Sequence, residues 1–250
     1  MKKALSGLLI LCLLLSSLSL FAGCGASGEV VYEEADTYSV GSARVEDKIT
    51  AVEIYWVSGS VTLKGALTTK TVIWEDYHYE SNNTLRYRVK DGVLQVYPSA
   101  SGVKDADKVK KNLEVELPLD LANALERVEI KTEGDTPVTV EMLKTKKLSV
   151  NTAAGSIDVN SQLKTADFIT KSGNLKVRSI GAGSLSFASK TGSAELALHL
   201  YGFTAVMENK KGSFESSYEC YQNGNIYTYG TQEVPLRLST AGKVTLNDVK

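Results

Sequence analysis

Three stretches of the sequence share one layout: Val150-Asn-Thr-Ala-Ala-Gly-Ser-Ile-Asp-Val159, Phe168-Ile-Thr-Lys-Ser-Gly-Asn-Leu-Lys-Val177 and Phe187-Ala-Ser-Lys-Thr-Gly-Ser-Ala-Glu-Leu196. In each stretch a glycine stands five residues after an apolar residue, and apolar side chains follow the glycine at the second and fourth positions. That alternation is the period of a β-strand, and a glycine beside a small polar residue is typical of a tight turn between strands. A repeat of about twenty residues with two strands predicts one coil of a β-solenoid, whose coils must stack to bury their apolar faces.

Glycines at comparable positions extend the repeat in both directions along the chain. They are Gly59, Gly134, Gly155, Gly173, Gly192, Gly212 and Gly242. From Gly134 onward the intervals are 21, 18, 19, 20 and 30 residues. Because glycine reaches the left-handed conformation without strain, we expect these glycines to occupy left-handed positions in turns. An antiparallel sandwich whose turns happen to share Gly-Ser is the alternative, and the regular spacing favours the solenoid.

The chain before the repeats also alternates with the period of strands. Val52–Trp56 and Val61–Leu63 flank a Ser-Gly-Ser turn, and Leu85–Val89 and Val93–Val96 flank an Asp-Gly hairpin signal. We therefore expect an all-β domain over residues 46–250. Its first part, 46–129, is expected to be a region of strands and hairpins, and 130–250 to be the repeat part. Residues 24–45 are weakly patterned and are predicted to form a tether.

The first residues have the layout of a secretory signal. Met1-Lys2-Lys3 is followed by an uncharged, mostly apolar run, Leu5–Leu20, and then by Phe21-Ala-Gly-Cys24. The last four residues resemble a lipobox, although Phe21 stands where leucine is usual. The resemblance implies that residues 1–23 are removed and that Cys24 carries the lipid, with palmitate among its acyl chains. The alternative is an uncleaved membrane helix, for which the apolar run is near the lower limit of length.

Charge and cysteine content narrow the class of protein. Without the two lysines of the signal, 26 basic and 29 acidic side chains give a net charge of −3, which does not suggest nucleic-acid binding. Removal of Cys12 with the signal and lipidation of Cys24 would leave only Cys220. We therefore expect no disulfide within the mature chain, so its stability must come from the hydrophobic core.

Two phrases and the repeat itself resemble a known family. The phrases are Val52–Leu63 (VEIYWVSGSVTL) and Leu113–Pro118 (LEVELP), and the repeat reads Thr/Ser-x-Gly-Ser/Asn with alternating apolar residues after it. Together they resemble the bacterial "putative adhesin" domain family, a domain of unknown function, over roughly residues 48–250. The resemblance implies a β-solenoid-like fold and a role in binding rather than a particular activity. The aspartate usual in the family's turn occurs here only as Asp135.

The sequence shows no arrangement typical of catalysis. His78 and His199 lie far from each other in the sequence and lack metal-ligand spacing to another His or Cys, so we expect no metal site. Glu75, Asp76 and Glu80 are interpreted as a solvated strand face. No phosphate-binding or dinucleotide fingerprint occurs, and we expect no cofactor.

A tyrosine-rich segment interrupts the last repeat. Asn223-Gly224 between alternating runs predicts a hairpin with a type I′ turn. Alternation then puts Tyr218, Tyr227 and Tyr229 on one face, together with Cys220. That face either closes the end of the solenoid or is exposed as a contact surface for a partner.

These observations predict a lipid-anchored protein on the extracytoplasmic face of the cell membrane. The leading function is a non-catalytic, adhesin-like binding or scaffold module that contacts envelope polymer, lipid or a surface protein. A polysaccharide-active solenoid enzyme is the alternative from another class, and it would need a carboxylate cluster on one face. A component of envelope-stress sensing is a third.

Overall fold

The structure is a computed structural model, and it describes residues 29–77 and 81–249. The strands are β1 (Ser39–Val40), β2 (Ala43–Val45), β3 (Ala51–Trp56), β4 (Gly59–Ala66), β5 (Thr71–Glu75), β6 (Arg86–Lys90), β7 (Val93–Tyr97), β8 (Lys111–Pro118), β9 (Leu125–Thr132), β10 (Val138–Thr152), β11 (Ile157–Thr170), β12 (Leu175–Ile180), β13 (Ser184–Ser189), β14 (Ala194–His199), β15 (Gly202–Met207), β16 (Ser213–Ser216), β17 (Tyr221–Asn223), β18 (Ile226–Gly230), β19 (Val234–Ser239) and β20 (Lys243–Asn247). One short α-helix, α1 (Leu119–Ala122), and two 3-10 turns, Ala35–Thr37 and Ala106–Lys108, complete the described elements. The all-β prediction is confirmed. Within the described range, no helix has the length and apolar character that a membrane crossing requires.

Each coil contributes one strand to each of two faces. Face A contains, in spatial order, β7, β3, β9, the second half of β10, the second half of β11, β13, β19 and β15. Face B contains β8, β4, the first half of β10, the first half of β11, β12, β14, β20 and β16. Neighbouring strands in both orders are parallel, which confirms the solenoid, because the sandwich alternative would pair its hairpin strands antiparallel.

Equivalent residues of successive coils lie directly over one another. On face A, Val150 pairs with Phe168 and Phe168 with Phe187, and on face B, Ile157 pairs with Leu175. All five side chains are 2% exposed or less, whereas the positions between them alternate outward. The apolar side of every inner coil is thus covered by the coils above and below it, and this burial is the main source of stability in the fold.

The turns from face A to face B use glycine for a reason that differs from the prediction. Gly59 and Gly134 do have positive φ, at 91° and 58°. The prediction of left-handed backbone is wrong at the other repeat glycines, which are Gly155, Gly173, Gly192, Gly212 and Gly242. A Cβ on Gly173 would lie less than 3.0 Å from the carbonyl oxygen of Gly155, and a Cβ on Gly192 equally close to that of Gly173. Glycine is required there because the backbones of adjacent coils approach too closely for a side chain.

In three of these turns a hydroxyl side chain accepts the N–H of the repeat glycine. The Oγ1 of Thr170 accepts the N–H of Gly173 at 2.9 Å, and the Oγ of Ser189 accepts the N–H of Gly192 at 2.8 Å. In the last coil Thr240 accepts from Gly242 at 2.9 Å. The Thr/Ser that precedes the repeat glycine therefore satisfies a backbone donor that the turn would otherwise leave without a partner.

At both ends the order of coils in space differs from their order in the chain. The coil of β3 and β4 comes first in the chain but is the second in space. The coil of β7 and β8 follows it in the chain and is the outermost coil at this end. The last coil, β19 and β20, lies between the coil of β13 and β14 and the coil of β15 and β16. Antiparallel strands then cover the outer coils: β5 pairs with β8, β6 with β7, and β18 with β15. These strands protect edges that would otherwise be free to pair with another chain.

The domain boundaries also differ from the predicted ones. The N–H of Val30 donates to the carbonyl of Val103 at 3.1 Å, and the side chains of Tyr32 and Tyr38 are 8% exposed. The tether predicted for residues 24–45 is therefore wrong for residues 30–45, which are part of the folded domain. The division at residues 129 and 130 marks no change of architecture, because β9 crosses it and β3 and β4 already form a coil.

Candidate binding surfaces

Some of the residues singled out in the sequence lie outside the residues that the structure describes. Cys24, the predicted lipidation site, is outside the described residues, as are His78 and Glu80. Within 29–77 and 81–249, no group of three His, Cys, Asp or Glu side chains could hold a metal ion. Cys220 is a free, half-buried thiol.

The tyrosine hairpin forms with a register that differs from the predicted one. Tyr221 pairs with Thr228 and Asn223 with Ile226, so that Gly224 and Asn225 make the loop. Gly224 has a φ of 61° at the first loop position, which fits a type II′ turn, and the predicted type I′ turn is wrong. The pairing is shifted by two residues, which is one full period of a strand, so every side chain keeps the face it was assigned.

The predicted tyrosine face covers the end of the core. Tyr218, Tyr227 and Tyr229 are half-buried and pack on the core with Cys220. The ring centroids of Tyr227 and Phe214 are 4.5 Å apart, those of Tyr229 and Phe203 are 5.8 Å apart, and those of Tyr218 and Tyr229 are 4.8 Å apart. This placement corresponds to the capping alternative rather than to an exposed contact surface. The exposed tyrosines of this end are others, Tyr201 and Tyr221, at 82% and 72%.

His199 belongs to a polar cluster beside this cap. Its Nδ1 lies 3.1 Å from the Oδ1 of Asp248, and this hydrogen bond is the main cause that lowers the pKa of Asp248. The hydroxyl of Tyr218 lies 3.2 Å from the same carboxylate and 2.6 Å from the carbonyl of Leu198. The cluster ties the residue after β20 to the end of β14. His199 is the last residue of β14, and 45% of its side chain is exposed.

The acidic run around Glu75 is not a uniformly solvated face. Glu75 is 1% exposed, and its Oε2 lies 2.6 Å from the Nζ of Lys111, which is 3% exposed. The other carboxylate oxygen accepts the N–H of Leu85 at 2.8 Å. Asp76 is exposed, as predicted, and accepts the N–H of Asn112 at 2.7 Å. The solvated-face interpretation is therefore wrong for Glu75.

Lys111 has partners for all three of its N–H groups. Besides Glu75, it donates to the backbone carbonyls of Asn83 and Pro98. Its Nζ also lies 5.0 Å from the ring centroid of Trp56. Burial is the main cause that lowers the pKa of Lys111, and the hydrogen bond to Glu75 opposes it. With every donor used in holding β5, β8 and two turns together, the pair is a structural tie of the outermost coil.

A groove that the sequence did not predict runs along the opposite set of turns, from face B to face A. We call it the edge groove. Its volume is about 620 Å³. Its floor consists of buried residues that occupy the same place in four successive coils. They are Leu125, Thr145, Leu163 and Ala182.

The rim of the edge groove is basic. Lys146 and Lys164 occupy the same position in neighbouring coils, and Lys144 stands beside Gln162. Lys146 pairs with Glu126 at 2.7 Å, whereas Lys144 and Lys164 have no carboxylate partner in the part of the chain that the structure describes. The next coil carries glycine at both rim positions, 181 and 183, so the groove widens where side chains are missing.

Solved structures with a similar fold come from bacteria. A "putative cell adhesion protein" from Clostridium sporogenes is 13% identical, with a TM-score of 0.46 over 85% of this chain and 100% of that chain. A "putative adhesin" from Parabacteroides merdae is 14% identical, with a TM-score of 0.42 over 85% and 96%. A "putative lipid binding protein" from Parabacteroides distasonis is 14% identical, with a TM-score of 0.35 over 84% and 97%. Similarities at this level carry no argument about ligand or activity.

No curated protein matches the chain. One family does, and its match spans both ends of the solenoid and the whole of the edge groove. The family described as Toastrack DUF4097 matches residues 44–241, and the chain belongs to that family.

Proposed function

We propose that this chain is a lipid-anchored, extracytoplasmic binding or scaffold module of the bacterial envelope, without catalytic activity. The lipid would be attached to Cys24, after removal of residues 1–23. The proposal is supported by the basic, apolar and small residues that precede Cys24 in the order of a lipoprotein signal. Two acyl chains on one cysteine supply the strength that stable anchoring needs.

The charge pattern of the two faces carries the non-catalytic part of the proposal. On face B, Lys176 lies in register between Asp158 and Glu195. On face A, Arg127 lies 2.6 Å from Glu53 and 3.0 Å from Glu129. An enzyme acting on polysaccharide needs a convergent pair of carboxyl groups with different pKa values. Here basic side chains separate and neutralise the carboxylates, which favours a binding surface over a catalytic one.

Metabolic labelling with a palmitate analogue tests the anchor. The parent chain is expected to be labelled and to fractionate with membranes, and Cys24→Ala to lose the label. Cys220→Ala is the matched control, because it removes the other cysteine that would remain after signal removal, and its labelling is expected to equal that of the parent. Label that persists in Cys24→Ala would overturn the proposal. A parent chain that is unlabelled yet membrane-bound would support the uncleaved helix instead.

A further inference from the structure

We propose that the edge groove binds a linear polyanion, a polymer with a carboxylate or phosphate on each repeating unit. This inference rests on the proposed function and assigns its ligand class. Along the groove, neighbouring coils present more lysines than acids around a depression in the surface. Three lysines border it against one glutamate, Glu126, and that glutamate is already paired with Lys146.

The geometry of the solenoid favours an extended ligand over a small anion. Neighbouring coils are about 4.8 Å apart, so Lys146 and Lys164, register partners one coil apart, form a row along the solenoid axis, and Lys144 stands on the opposite row of the rim. A compact anion would need donors that converge on one point. A row of cations instead matches a chain of repeated negative charges, whose binding is driven by release of the counterions that the polymer holds.

The floor and the open end of the groove suit the uncharged parts of such a polymer. The buried side chains of Leu125 and Leu163 close the floor between the two rows of the rim, and Ala182 is the most exposed residue of that floor. The absence of side chains at Gly181 and Gly183 leaves room for a bulky unit, such as a sugar ring, to lie against the floor. Such contacts would add short-range van der Waals attraction to binding that is otherwise electrostatic.

The position of the groove fits an anchored protein. Val30, near the start of the described residues, is held by Val103 in the connection from β7 to β8, which is a turn from face A to face B. The groove lies along the opposite turns, from face B to face A. An anchor that precedes Val30 would thus attach near one edge and leave the groove on the opposite edge, open to polymers of the envelope.

The test measures binding of the full chain, in detergent micelles, to fluorescent polygalacturonate, a linear polymer with one carboxylate per sugar. Polyphosphate forms a second arm, and neutral dextran is the uncharged control. The parent is expected to bind both polyanions with an affinity that falls as salt rises, and not to bind dextran. Lys144→Gln with Lys164→Gln is expected to weaken binding about tenfold and to reduce the salt dependence. Gln162→Glu is expected to weaken it as well, by placing a negative charge on the rim.

The matched control is Lys171→Gln with Lys190→Gln. These two exposed lysines also lie in neighbouring coils, where the N–H of Lys190 donates to the carbonyl of Lys171, but at the turns from face A to face B. Their replacement removes the same charge and is expected to leave the affinity unchanged within about twofold. Equal losses in both pairs, or a parent that binds neither polyanion, would overturn the proposed site. A parent that binds polyanions but does not attach to isolated cell envelopes would contradict the proposed function and leave the groove standing.

Discussion

The two ends of the solenoid cover their outermost coils with different kinds of contact. At the first end, the outermost coil, β7 and β8, is covered by β5 and β6, and residues 30–38 add a small second core around Tyr32, Tyr38 and Tyr97. At the second end, the outermost coil, β15 and β16, is covered by the hairpin of β17 and β18, strands of three and five residues. One end is closed by buried polar and aromatic contacts, and the other by a lid of half-buried tyrosines.

The difference shows where the stability of the ends resides. A buried ion pair with every hydrogen bond satisfied is costly to break, because the remaining partner would be left charged in an apolar surrounding. Half-buried rings contribute less, since part of their surface already contacts water. We therefore expect the first end to depend strongly on single residues and the second end to tolerate substitution.

The largest effect is expected for Lys111→Met. The substitution leaves Glu75 buried without its cation, and removes the donor to the carbonyls of Asn83 and Pro98. We expect a loss of about 3–5 kcal/mol in the free energy of unfolding, measured by urea denaturation. The double variant Lys111→Met with Glu75→Gln is expected to recover part of that loss, because no charge is then left without a partner. Equal stability of parent and Lys111→Met would contradict the importance of this pair.

The turns between the ends provide the next comparison. Asparagine tolerates the left-handed conformation, so Gly134→Asn, at a φ of 58° and with the nearest atom 3.9 Å from a new Cβ, is expected to cost less than about 1 kcal/mol. Gly173→Asn is expected to cost about 3 kcal/mol or more, since the Cβ would collide with the backbone of Gly155. Thermal unfolding of the two variants measures the difference. Equal costs would mean that conformation, and not close approach, selects glycine at residue 173.

The double variant Tyr227→Ser with Tyr229→Ser tests whether the half-buried tyrosines cover the second end. Loss of the ring contacts to Phe214 and Phe203 is expected to cost about 2 kcal/mol, or about 4–8 °C in Tm. Tyr221→Ser changes an exposed ring on the other side of the same hairpin and serves as the control, with no change expected in Tm. Unchanged melting of the double variant, together with reduced attachment to isolated envelope, would show that the tyrosine face is a contact surface and not a cover of the core.

Alkaline pH is expected to destabilise the first end, where Tyr32, Tyr38 and Tyr97 pack together. Burial raises the pKa of Tyr32 to about 12, and it raises the pKa values of Tyr38 and Tyr97 as well. The unfolded chain releases these protons near pH 10 and the folded chain retains them, so stability is full below that pH and falls as pH rises toward 12. Urea midpoints between about pH 9 and 11 should show a loss of the order of 1 kcal/mol per buried tyrosine. Tyr32→Phe should reduce that decline, and Tyr221→Phe should leave it unchanged.

Much of the fold follows from the sequence because its signal is periodic. The glycines, the hydroxyls before them and the apolar residues after them recur in the central coils, so the solenoid could be predicted from Gly155, Gly173 and Gly192 alone. The reason for glycine could not be predicted. A turn suggests a positive φ, which is a local property, whereas the actual cause is a collision between the backbones of residues about twenty positions apart. The insertion of the last coil was equally hidden, although the interval of 30 residues before Gly242 marks its place.

The candidate sites also include features that the sequence predicts and features that it does not. The faces of Tyr218, Tyr227 and Tyr229 follow from alternation and survive an error of two residues in register. The burial of Glu75 does not follow, since its partner Lys111 lies 36 residues further on, in a run that reads as a lysine-rich loop. A signal for the edge groove was present: Lys146 and Lys164 are one repeat apart, and glycines take the rim positions one repeat later. Only stacking turns that spacing into a row of charges.

The central claim is that the last coil of the chain lies inside the solenoid, and one cross-linking measurement tests it directly. Ala188 and Ser239 are register partners on neighbouring strands of face A, at a separation that a disulfide can bridge. In a Cys220→Ser background, Ala188→Cys with Ser239→Cys is expected to form a disulfide on mild oxidation, seen by mass and by faster gel migration. Glu208 follows Met207, the partner of Leu238, and would face residue 188 only if coils stacked in chain order. No disulfide is therefore expected for Ala188→Cys with Glu208→Cys, and the opposite outcome for the two pairs would contradict the account.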